Sequence, residues 1–407
     1  MRPKIIAIAT MDTKGEEIAF VAAQLEKAGV RAVTVDVGTQ QPPTVAPTID
    51  RSRVAARHPR GAEVILRASD RGEAVDAMSE ALTEFLVAEL ADSGFDGVIG
   101  IGGSGGTALI TRAMRALPIG LPKLMVSTIA SGNVAPYLDC SDITMMPAVV
   151  DVAGINAVST RILSNAAHAI AGMVLYKPPQ AEPRPIVGMT MFGVTTPCVT
   201  AVRTALESRG FDCLVFHATG TGGRTMEKLV ESGMIKGVLD VTTTEVADEV
   251  VGGVFPAGPK RFEAILRAGV PYVMSLGALD MVNFGAPETV PPQFRERRLH
   301  RHNSQVTLMR TTPDENRRCA RWIARKLVHA ESPVAVLIPA RGVSALDAAG
   351  QPFHDPAADE AFVEEFQAGL EGVESVRAST LPLHINDPAF ADALVSRFLE
   401  LWDARSR

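Results

Sequence analysis

Residues 98–115 read VIGIGGSGGTALITRAMR, and this stretch decides the fold class of the 407-residue chain. Its apolar run predicts a buried strand over 98–101, and apolar residues at helical spacing predict a helix over 107–115, with a glycine-rich turn between them. Short apolar runs and amphipathic windows alternate elsewhere too, with strands predicted at 5–9, 32–37 and 124–127 and a helix at 15–27. Because parallel strands need helical crossovers, this alternation predicts an α/β fold with a mostly parallel sheet.

A proline-rich segment, KPPQAEPRP, is followed by what reads as a second copy of the same pattern. Residues 232–240 (SGMIKGVLD) resemble residues 93–100 (SGFDGVIG). Residues 269–275 (GVPYVMS) likewise resemble residues 120–127 (GLPKLMVS). Landmarks repeated in one order indicate internal duplication. The sequence therefore predicts two doubly wound, Rossmann-like domains: an N-terminal nucleotide-binding domain at 1–178, a linker at 179–185, and a C-terminal co-substrate or partner domain at 186–407.

The composition excludes several classes of protein. The net charge of −6 argues against a nucleic-acid-binding surface. Four dispersed cysteines give neither a disulfide framework nor a thiolate zinc site, and they fit a reducing compartment. We find no uncharged apolar stretch of about 18 residues, so we expect no membrane span and a cytoplasmic protein.

The glycine-rich turn is the first candidate ligand site. Glycines let a backbone approach an anion, and the dipole of the following helix favours negative charge. The alternative is a tight turn that lets the helix pack closely on the sheet. A dinucleotide site is disfavoured, because the turn follows the third strand of its domain and lacks an acidic residue about 20 positions later. The candidate residues are Gly102, Gly103, Ser104, Gly105, Gly106 and Thr107.

The loop after the first strand, TMDTKGEE, is the second candidate. Lys14 and Thr13 could contact phosphate oxygens, and Asp12 could hold Mg²⁺. Alternatively, Asp12 or Thr13 caps a helix whose Glu16 or Glu17 completes a capping box. The first strand is normally central in a doubly wound sheet, so this loop is expected near the glycine turn.

Polar residues after two further strands complete the predicted nucleotide site. The loop STIASGN offers hydroxyl and amide groups, and a later acidic residue, Asp151, either contacts the ligand or its Mg²⁺ or caps the helix that starts near Ile155. The candidate residues in the loop are Ser127, Ser131, Gly132 and Asn133. The proline-rich segment 38–72 is predicted as a lid, an arm toward a partner or local disorder.

The second half offers candidates for a substrate site. Arg224 follows glycines at a helix start and could clamp an oxyanion. Cys198 lies in a predicted first helical turn, where the helix dipole could lower the pKa of its thiol. The more common alternative is that this cysteine is a small buried residue. The other candidates at strand ends are Thr219, Gly222, Asp240, Asp280 and Arg341.

Several long motifs together resemble the Tm-one-like ATP-binding family, which includes the N-terminal region of a plant tobamovirus-resistance protein and uncharacterised microbial proteins. The strings that carry the resemblance are TMDTKGEE, GIGGSGGT, STIASGN, FGVTTPCV, HATGTGGR, DVTTTEV, GALDMVNFG and GQPFHDP. The resemblance covers residues 3–405. It implies Mg-ATP binding by the N-terminal domain, two Rossmann-like halves and a homodimer, with no established reaction.

Three functions remain open at this point. The first is a metabolic enzyme that uses or is regulated by ATP, with a small acidic or sugar-like co-substrate at the cleft between the domains. The second is a nucleotide-gated protein-binding module without turnover, because no base–nucleophile pair is evident. The third is an isomerase or lyase whose substrate carries the phosphate and which does not use ATP.

Overall fold

The computed structural model describes residues 2–66, 68, 70–151, 154–176 and 184–405. The chain divides into two compact units, Met1–Ala181 and Glu182–Arg407, called the first and second unit below. Residues 179–183 of the predicted linker lie outside the described residues. The predicted domain boundaries therefore stay a prediction.

The first unit is built on five parallel strands in the order β2-β1-β3-β4-β5. The strands are β1 (Lys4–Ala9), β2 (Arg31–Asp36), β3 (Gly97–Gly102), β4 (Lys123–Ser127) and β5 (Thr144–Pro147). The helices are α1 (Met11–Lys27), α2 (Arg51–Ala55), α3 (Glu63–Leu66), α4 (Arg71–Asp92), α5 (Ser104–Arg115), α6 (Ala135–Leu138) and α7 (Ala157–Leu175).

Helices cover both faces of this sheet, which explains why its central strands β1, β3 and β4 are apolar without a polar alternation. On one face Ile6 and Ile8 of β1 pack in a core with α4 and α5. On the other face Ile5 and Ala7 pack in a core with α1 and α7. Strands buried on both faces are typical of parallel sheets with crossover helices.

The second unit has a parallel sheet of six strands, in the order β14-β13-β9-β8-β6-β7, and an antiparallel sheet in the order β10-β12-β11. The strands are β6 (Ile186–Met191), β7 (Asp212–His217), β8 (Ile235–Thr242), β9 (Tyr272–Gly277), β10 (Met281–Phe284), β11 (Leu299–Arg301), β12 (Thr307–Arg310), β13 (Val334–Pro339) and β14 (Val376–Leu381). The helices are α8 (Thr196–Glu207), α9 (Thr221–Glu231), α10 (Thr244–Val251), α11 (Glu263–Ala268), α12 (Pro313–Leu327), α13 (Pro356–Gly369) and α14 (Pro388–Arg405).

The two parallel sheets share one topology. In each unit the first strand lies between the second and the third, and the fourth follows the third. The first unit then adds β5, whereas the second adds β13 and β14. The predicted fold class, two doubly wound parallel-sheet domains, is confirmed, and the shared strand order agrees with an internal duplication.

The described part of segment 38–72 packs against the first sheet. Ile49 forms a parallel bridge with Val35, and both side chains are buried. Asp50 caps α2 by accepting a hydrogen bond from the Ser52 N–H at 2.8 Å. The segment therefore extends the fold beside β2, a contact that its poor periodicity did not predict.

The described helices differ in length and in charge. The longest of them, α4, spans 22 residues and includes Glu73, Asp76, Glu80 and Glu84. Among the described residues, no helix is long and apolar enough to cross a membrane.

Candidate functional site

A cleft opens at the carboxyl edge of the first sheet, between β1 and β3. The strand order reverses there, because the chain leaves β1 for β2 on one side and returns through β3 on the other. Open α/β sheets bind ligands at such a point. The volume of about 690 Å³ is in the usual range of small-molecule sites. This β1/β3 cleft is lined by Thr10, Asp12, Thr13, Lys14, Thr39, Gln40, Gln41, Arg71, Gly72, Val75, Gly103, Ser104, Gly105, Gly106 and Leu109.

The glycines of the 100–106 turn fall into two groups. A Cβ at Gly100 would lie 2.7 Å from Ile110 Cγ2, and one at Gly102 would lie 2.8 Å from the backbone of Gly106, so both are needed for close packing. At Gly105, by contrast, a Cβ would meet nothing within 4 Å. At Gly103 and Gly106 the nearest atoms would be 3.8 and 3.9 Å away. Packing thus explains two of these glycines and leaves the three that line the cleft unexplained.

The start of α5 offers backbone N–H groups to the cleft. Gly103 is the N-cap residue, and it has no side chain to accept hydrogen bonds from the first turn. The first N–H groups of a helix have no partner within the helix, and they carry partial positive charge. The start of α5 could therefore bind an anion in the β1/β3 cleft with its backbone N–H groups alone.

Thr107 and Ser127 hold the glycine turn in place through a hydrogen bond between their hydroxyl groups. Their hydroxyl oxygens lie 2.6 Å apart, and both side chains are buried. This hydrogen bond joins the first turn of α5 to the end of β4. Because neither hydroxyl reaches the surface, the direct ligand contacts predicted for these two residues are not available, and they position the glycine turn instead.

Asp12 does not cap α1. The N-cap residue is Thr10, which makes no side-chain capping bond, so the predicted capping box with Glu16 or Glu17 is wrong. Asp12 Oδ2 accepts hydrogen bonds from the N–H groups of Gln40 at 3.2 Å and Gln41 at 3.4 Å. Asp12 Oδ1 is buried and accepts no hydrogen bond from any described residue.

Asp36, at the end of β2, was missed by the sequence analysis. Its Oδ1 accepts hydrogen bonds from the N–H groups of Met11 at 2.9 Å and Gly38 at 2.8 Å, which ties the start of α1 to the loop after β2. Burial raises the pKa of Asp36, and the two N–H donors oppose this shift. An acidic residue at the end of a strand next to β1 was the available signal.

Residues 39–41 and the start of α4 form a wall of the cleft that the sequence analysis did not assign. The Arg51 guanidinium holds this loop by donating hydrogen bonds to the carbonyls of Gly38 at 3.3 Å and Gln41 at 2.6 Å. Arg71, the first residue of α4, adds an exposed cation to the lining. All of these residues come from segment 38–72, so part of that segment belongs to the site.

The other predicted nucleotide contacts are not among the residues that line this cleft. Ser131, Gly132 and Asn133 are exposed, and Asn133 Oδ1 accepts a hydrogen bond from the Ala135 N–H at 3.1 Å. Asp151 is also exposed. The helix after it starts at Ala157 and is capped by Asn156 in a capping box with Ser159, so the alternative of Asp151 as the cap is wrong.

The glycine-rich turn of the second unit, at the start of α9, is filled by protein atoms. A Cβ at Gly222 would overlap the carbonyl of His217, and one at Gly223 would overlap the carboxylate of Glu245. The Gly220 N–H donates to Glu245 Oε2 at 2.8 Å. Of the predicted substrate residues here, Gly222 is therefore a packing glycine. Thr219 is half-buried, and Arg224 is exposed, with its Nε donating to the Gly220 carbonyl at 3.3 Å.

Asp240 is part of a buried ion-pair network around Arg261. The fully buried Arg261 guanidinium contacts Asp240 at 2.7 Å, Glu245 at 2.6 Å and Glu227 at 2.9 Å. Thr190 Oγ1 and the Tyr272 hydroxyl also donate to Asp240, at 2.6 and 3.1 Å. The predicted substrate contact by Asp240 is not available, because its carboxylate is enclosed and fully engaged.

Cys198 is a buried core residue of α8. Its side chain packs with Val187, Val199 and Phe390. Burial raises the pKa of the Cys198 thiol to about 12, which is opposite in direction to the lowering considered for a dipole-activated nucleophile. This candidate is therefore corrected to a structural residue.

Asp280 belongs to a second buried cluster, at the ends of β9 and β13. Its Oδ2 accepts a hydrogen bond from Ser344 Oγ at 2.7 Å, and burial raises the Asp280 pKa to about 6. Arg310 lies 2.7 Å from Asp359, whose pKa is raised by burial to about 7, and 3.5 Å from Asp347. Arg341, three residues before Ser344, is exposed at the end of β13.

Comparison with known proteins identifies the family. Residues 3–179 match the model of the uncharacterised protein family UPF0261 N-terminal domain, and residues 184–402 match that of its C-terminal domain. The chain is 54% identical over 398 residues to UPF0261 protein RA0729 of Rhizobium meliloti, covering 98% of this chain and 99% of that one.

Plant and clostridial relatives are similar over the same length of this chain. The ToMV resistance protein Tm-1(GCR237) of Solanum lycopersicum is 47% identical over 98% of this chain and 56% of the tomato protein. A UPF0261 protein of Clostridium tetani is 45% identical, over 99% of this chain and all of that one. The chain belongs to the UPF0261 family. The family resemblance is confirmed, whereas its ATP-binding implication stays a prediction.

Proposed function

We propose that this member of the UPF0261 family binds Mg-ATP in the β1/β3 cleft of its first unit. One observation carries the proposal: three glycines of the turn have open space beside them, at a helix start that no side chain caps. The phosphates would lie against residues 103–106, with Lys14 supplying positive charge from α1. The location at the reversal of strand order supports a ligand site there.

Magnesium, which the family resemblance implies, fits the donors of this cleft. Mg²⁺ is usually held by one or two carboxylates together with substrate phosphates and waters. Asp12 Oδ1 is buried without a hydrogen-bond donor among the described residues, so this oxygen suits a cation. Asp12 would hold the ion, and Asp36 would keep the start of α1 in place. Asp151 is not among the residues that line the cleft.

The proposal extends to an enzyme that uses ATP or is regulated by it, acting on a small acidic or sugar-like co-substrate. Arg224 and Arg341 support an acidic co-substrate, because both are exposed and follow strands at the carboxyl edge of the second sheet. Among the described residues that line the β1/β3 cleft, none is histidine or cysteine. We therefore assign a ligand to this cleft and leave the reaction unassigned.

Gly105→Ala tests the assignment directly. The added methyl group would meet no protein atom within 4 Å, so the variant should fold, but the methyl would occupy space that the phosphates need. We expect at least about a tenfold loss of Mg-ATP affinity by isothermal titration calorimetry, as for one lost charged hydrogen bond. Gly172→Ala is the matched control, because Gly172 lies within α7, also has open space and does not line the cleft.

Equal affinity for Mg-ATP in the wild type and Gly105→Ala would contradict the assignment. A wild type that binds sugar phosphates and not ATP, with the same sensitivity to Gly105→Ala, would favour the isomerase or lyase instead. The homodimer and the cytoplasmic location stay predictions. Light scattering of the purified chain, with and without Mg-ATP, measures the first of these.

A further inference from the structure

We propose that Arg71 contacts the terminal phosphate and makes the β1/β3 cleft selective for nucleoside triphosphates over diphosphates. This inference rests on the proposed function and names the ligand class of the same site. Arg71 lines the cleft, is exposed, and forms no ion pair with any described residue. Its position in a segment of poor periodicity gave no sign of such a role.

The packing of α4 against α5 brings Arg71 to the glycine turn. The Ser79 hydroxyl of α4 donates to the Leu109 carbonyl of α5 at 3.1 Å, and apolar residues of both helices share one core. Each of these two residues lies within the first third to half of its helix, so the two helices start at the same end of the sheet. Arg71, the first residue of α4, therefore lies beside the first turn of α5.

Lys14 and Arg71 reach the cleft from opposite faces of the sheet. Lys14 is on α1, which packs on the face that carries α7. Arg71 is on α4, which packs on the face that carries α5. A phosphate chain that lies along the carboxyl edge of the sheet would thus have one cation on each side and the α5 backbone beneath it.

The cations of the cleft favour the nucleotide that carries more negative charge. The ionisable residues of its lining are Lys14, Arg71 and Asp12, which sum to one positive charge. The start of α5, where the N-cap residue is a glycine, adds about half a positive charge, whereas the Met11 N–H at the start of α1 is taken by the Asp36 carboxylate at 2.9 Å. ATP carries one more phosphate and more negative charge than ADP, so losing a guanidinium that contacts the terminal phosphate should cost ATP more than ADP.

The experiment compares two nucleotides in one titration series on the full chain. Isothermal titration calorimetry with ATP and with ADP, both in excess Mg²⁺, gives the affinity ratio for the wild type, Arg71→Gln and Arg60→Gln. Arg60 is the matched control, because it is an exposed arginine of the same segment and does not line the cleft. We expect Arg71→Gln to lose about tenfold in ATP affinity, the scale of one charged hydrogen bond, and to change ADP affinity far less.

Each outcome decides one of the two proposals. A selective loss for ATP in Arg71→Gln, absent in Arg60→Gln, supports the assignment of Arg71. Equal losses for both nucleotides, or no loss, overturn it while leaving ATP binding in place. A wild type that binds neither nucleotide overturns the proposed function itself.

Discussion

The two glycine-rich turns of this protein have similar sequences, but one lies beside open space and the other is packed against protein atoms. GGSGGT, at the start of α5 in the first unit, leaves Gly103, Gly105 and Gly106 beside open space. TGTGGR, at the start of α9 in the second unit, places Gly222 and Gly223 against a backbone carbonyl and a carboxylate. A glycine can thus serve close packing or ligand access, and only its tertiary neighbours distinguish the two.

Gly223→Ala should show the largest effect. The new Cβ would overlap the Glu245 carboxylate and lie 2.5 Å from Arg261 Nε, so it would break a buried ion-pair network. Disrupting a buried charge pair costs about 3–5 kcal/mol, and we expect a loss of that order in the free energy of unfolding of the second unit. Urea denaturation followed by circular dichroism measures it.

A Gly223→Ala variant as stable as the wild type would break the comparison, because the turn would then tolerate a side chain. The reference for this measurement is Gly105→Ala, the same substitution in the other turn. If the free energy of unfolding fell by several kcal/mol in both variants, Gly105 would also be a packing glycine. The open space beside it would then not indicate a ligand site.

A pH-dependent effect of intermediate size is expected from the buried acids of the second unit. The Asp359 pKa is raised from its usual value of 3.8 to about 7, mainly by burial. The folded state therefore retains a proton that the unfolded chain has already released, and the free energy of unfolding should fall as the pH rises from about 4 to about 7. Asp359→Asn keeps the shape and cannot titrate, so it should gain stability relative to the wild type across this window.

Denaturation curves at several pH values for both proteins give this difference. A constant offset between Asp359→Asn and the wild type at all pH values would show that Asp359 does not hold the proton. Asp392→Asn, at an exposed position of α14, controls for the removal of a negative charge.

The smallest effect is expected from the stability of Gly105→Ala. Alanine in a helix is favoured over glycine by up to about 1 kcal/mol, and the new methyl group meets no atom within 4 Å. We expect unfolding to be unchanged or slightly harder, measured by thermal denaturation without ligand. A marked loss of stability would show that the turn at α5 has less room than its geometry indicates. The two glycine-rich turns would then be more alike than their surroundings suggest.

The strands and helices were predictable because the central strands of both parallel sheets are continuous apolar runs buried on both faces. The predicted strand over 98–101 corresponds to β3, Gly97–Gly102, and the predicted helix over 15–27 lies within α1, Met11–Lys27. The helix starts were less predictable. Asp12 precedes an amphipathic window and looks like a cap, yet its carboxylate bonds to the N–H groups of residues 40 and 41, which a local pattern does not reveal.

Only part of the site was predictable from local sequence patterns. Loops that follow β1 and β3 must meet if these strands are neighbours, so Lys14 and the glycine turn were expected together. Arg71 and Gln40 reach the cleft only through the packing of segment 38–72, which carries no periodic signal. In the second unit, Asp240 looks like a ligand residue because the sequence predicts it at a strand end, but it lies within β8 and is enclosed by Arg261, 21 positions away.

The carboxylate of Glu245 has a consequence for how the two units respond to metabolites. It accepts the Gly220 N–H at the start of α9, where a free anion could otherwise bind, and it is tethered to the same chain. A tethered group has a high effective concentration and cannot be diluted away, so the Gly220 N–H is permanently occupied by an acid of its own chain. Under the proposed function, rising ATP would increase the thermal stability of the first unit by mass action, whereas the start of α9 keeps its own carboxylate at every ATP concentration.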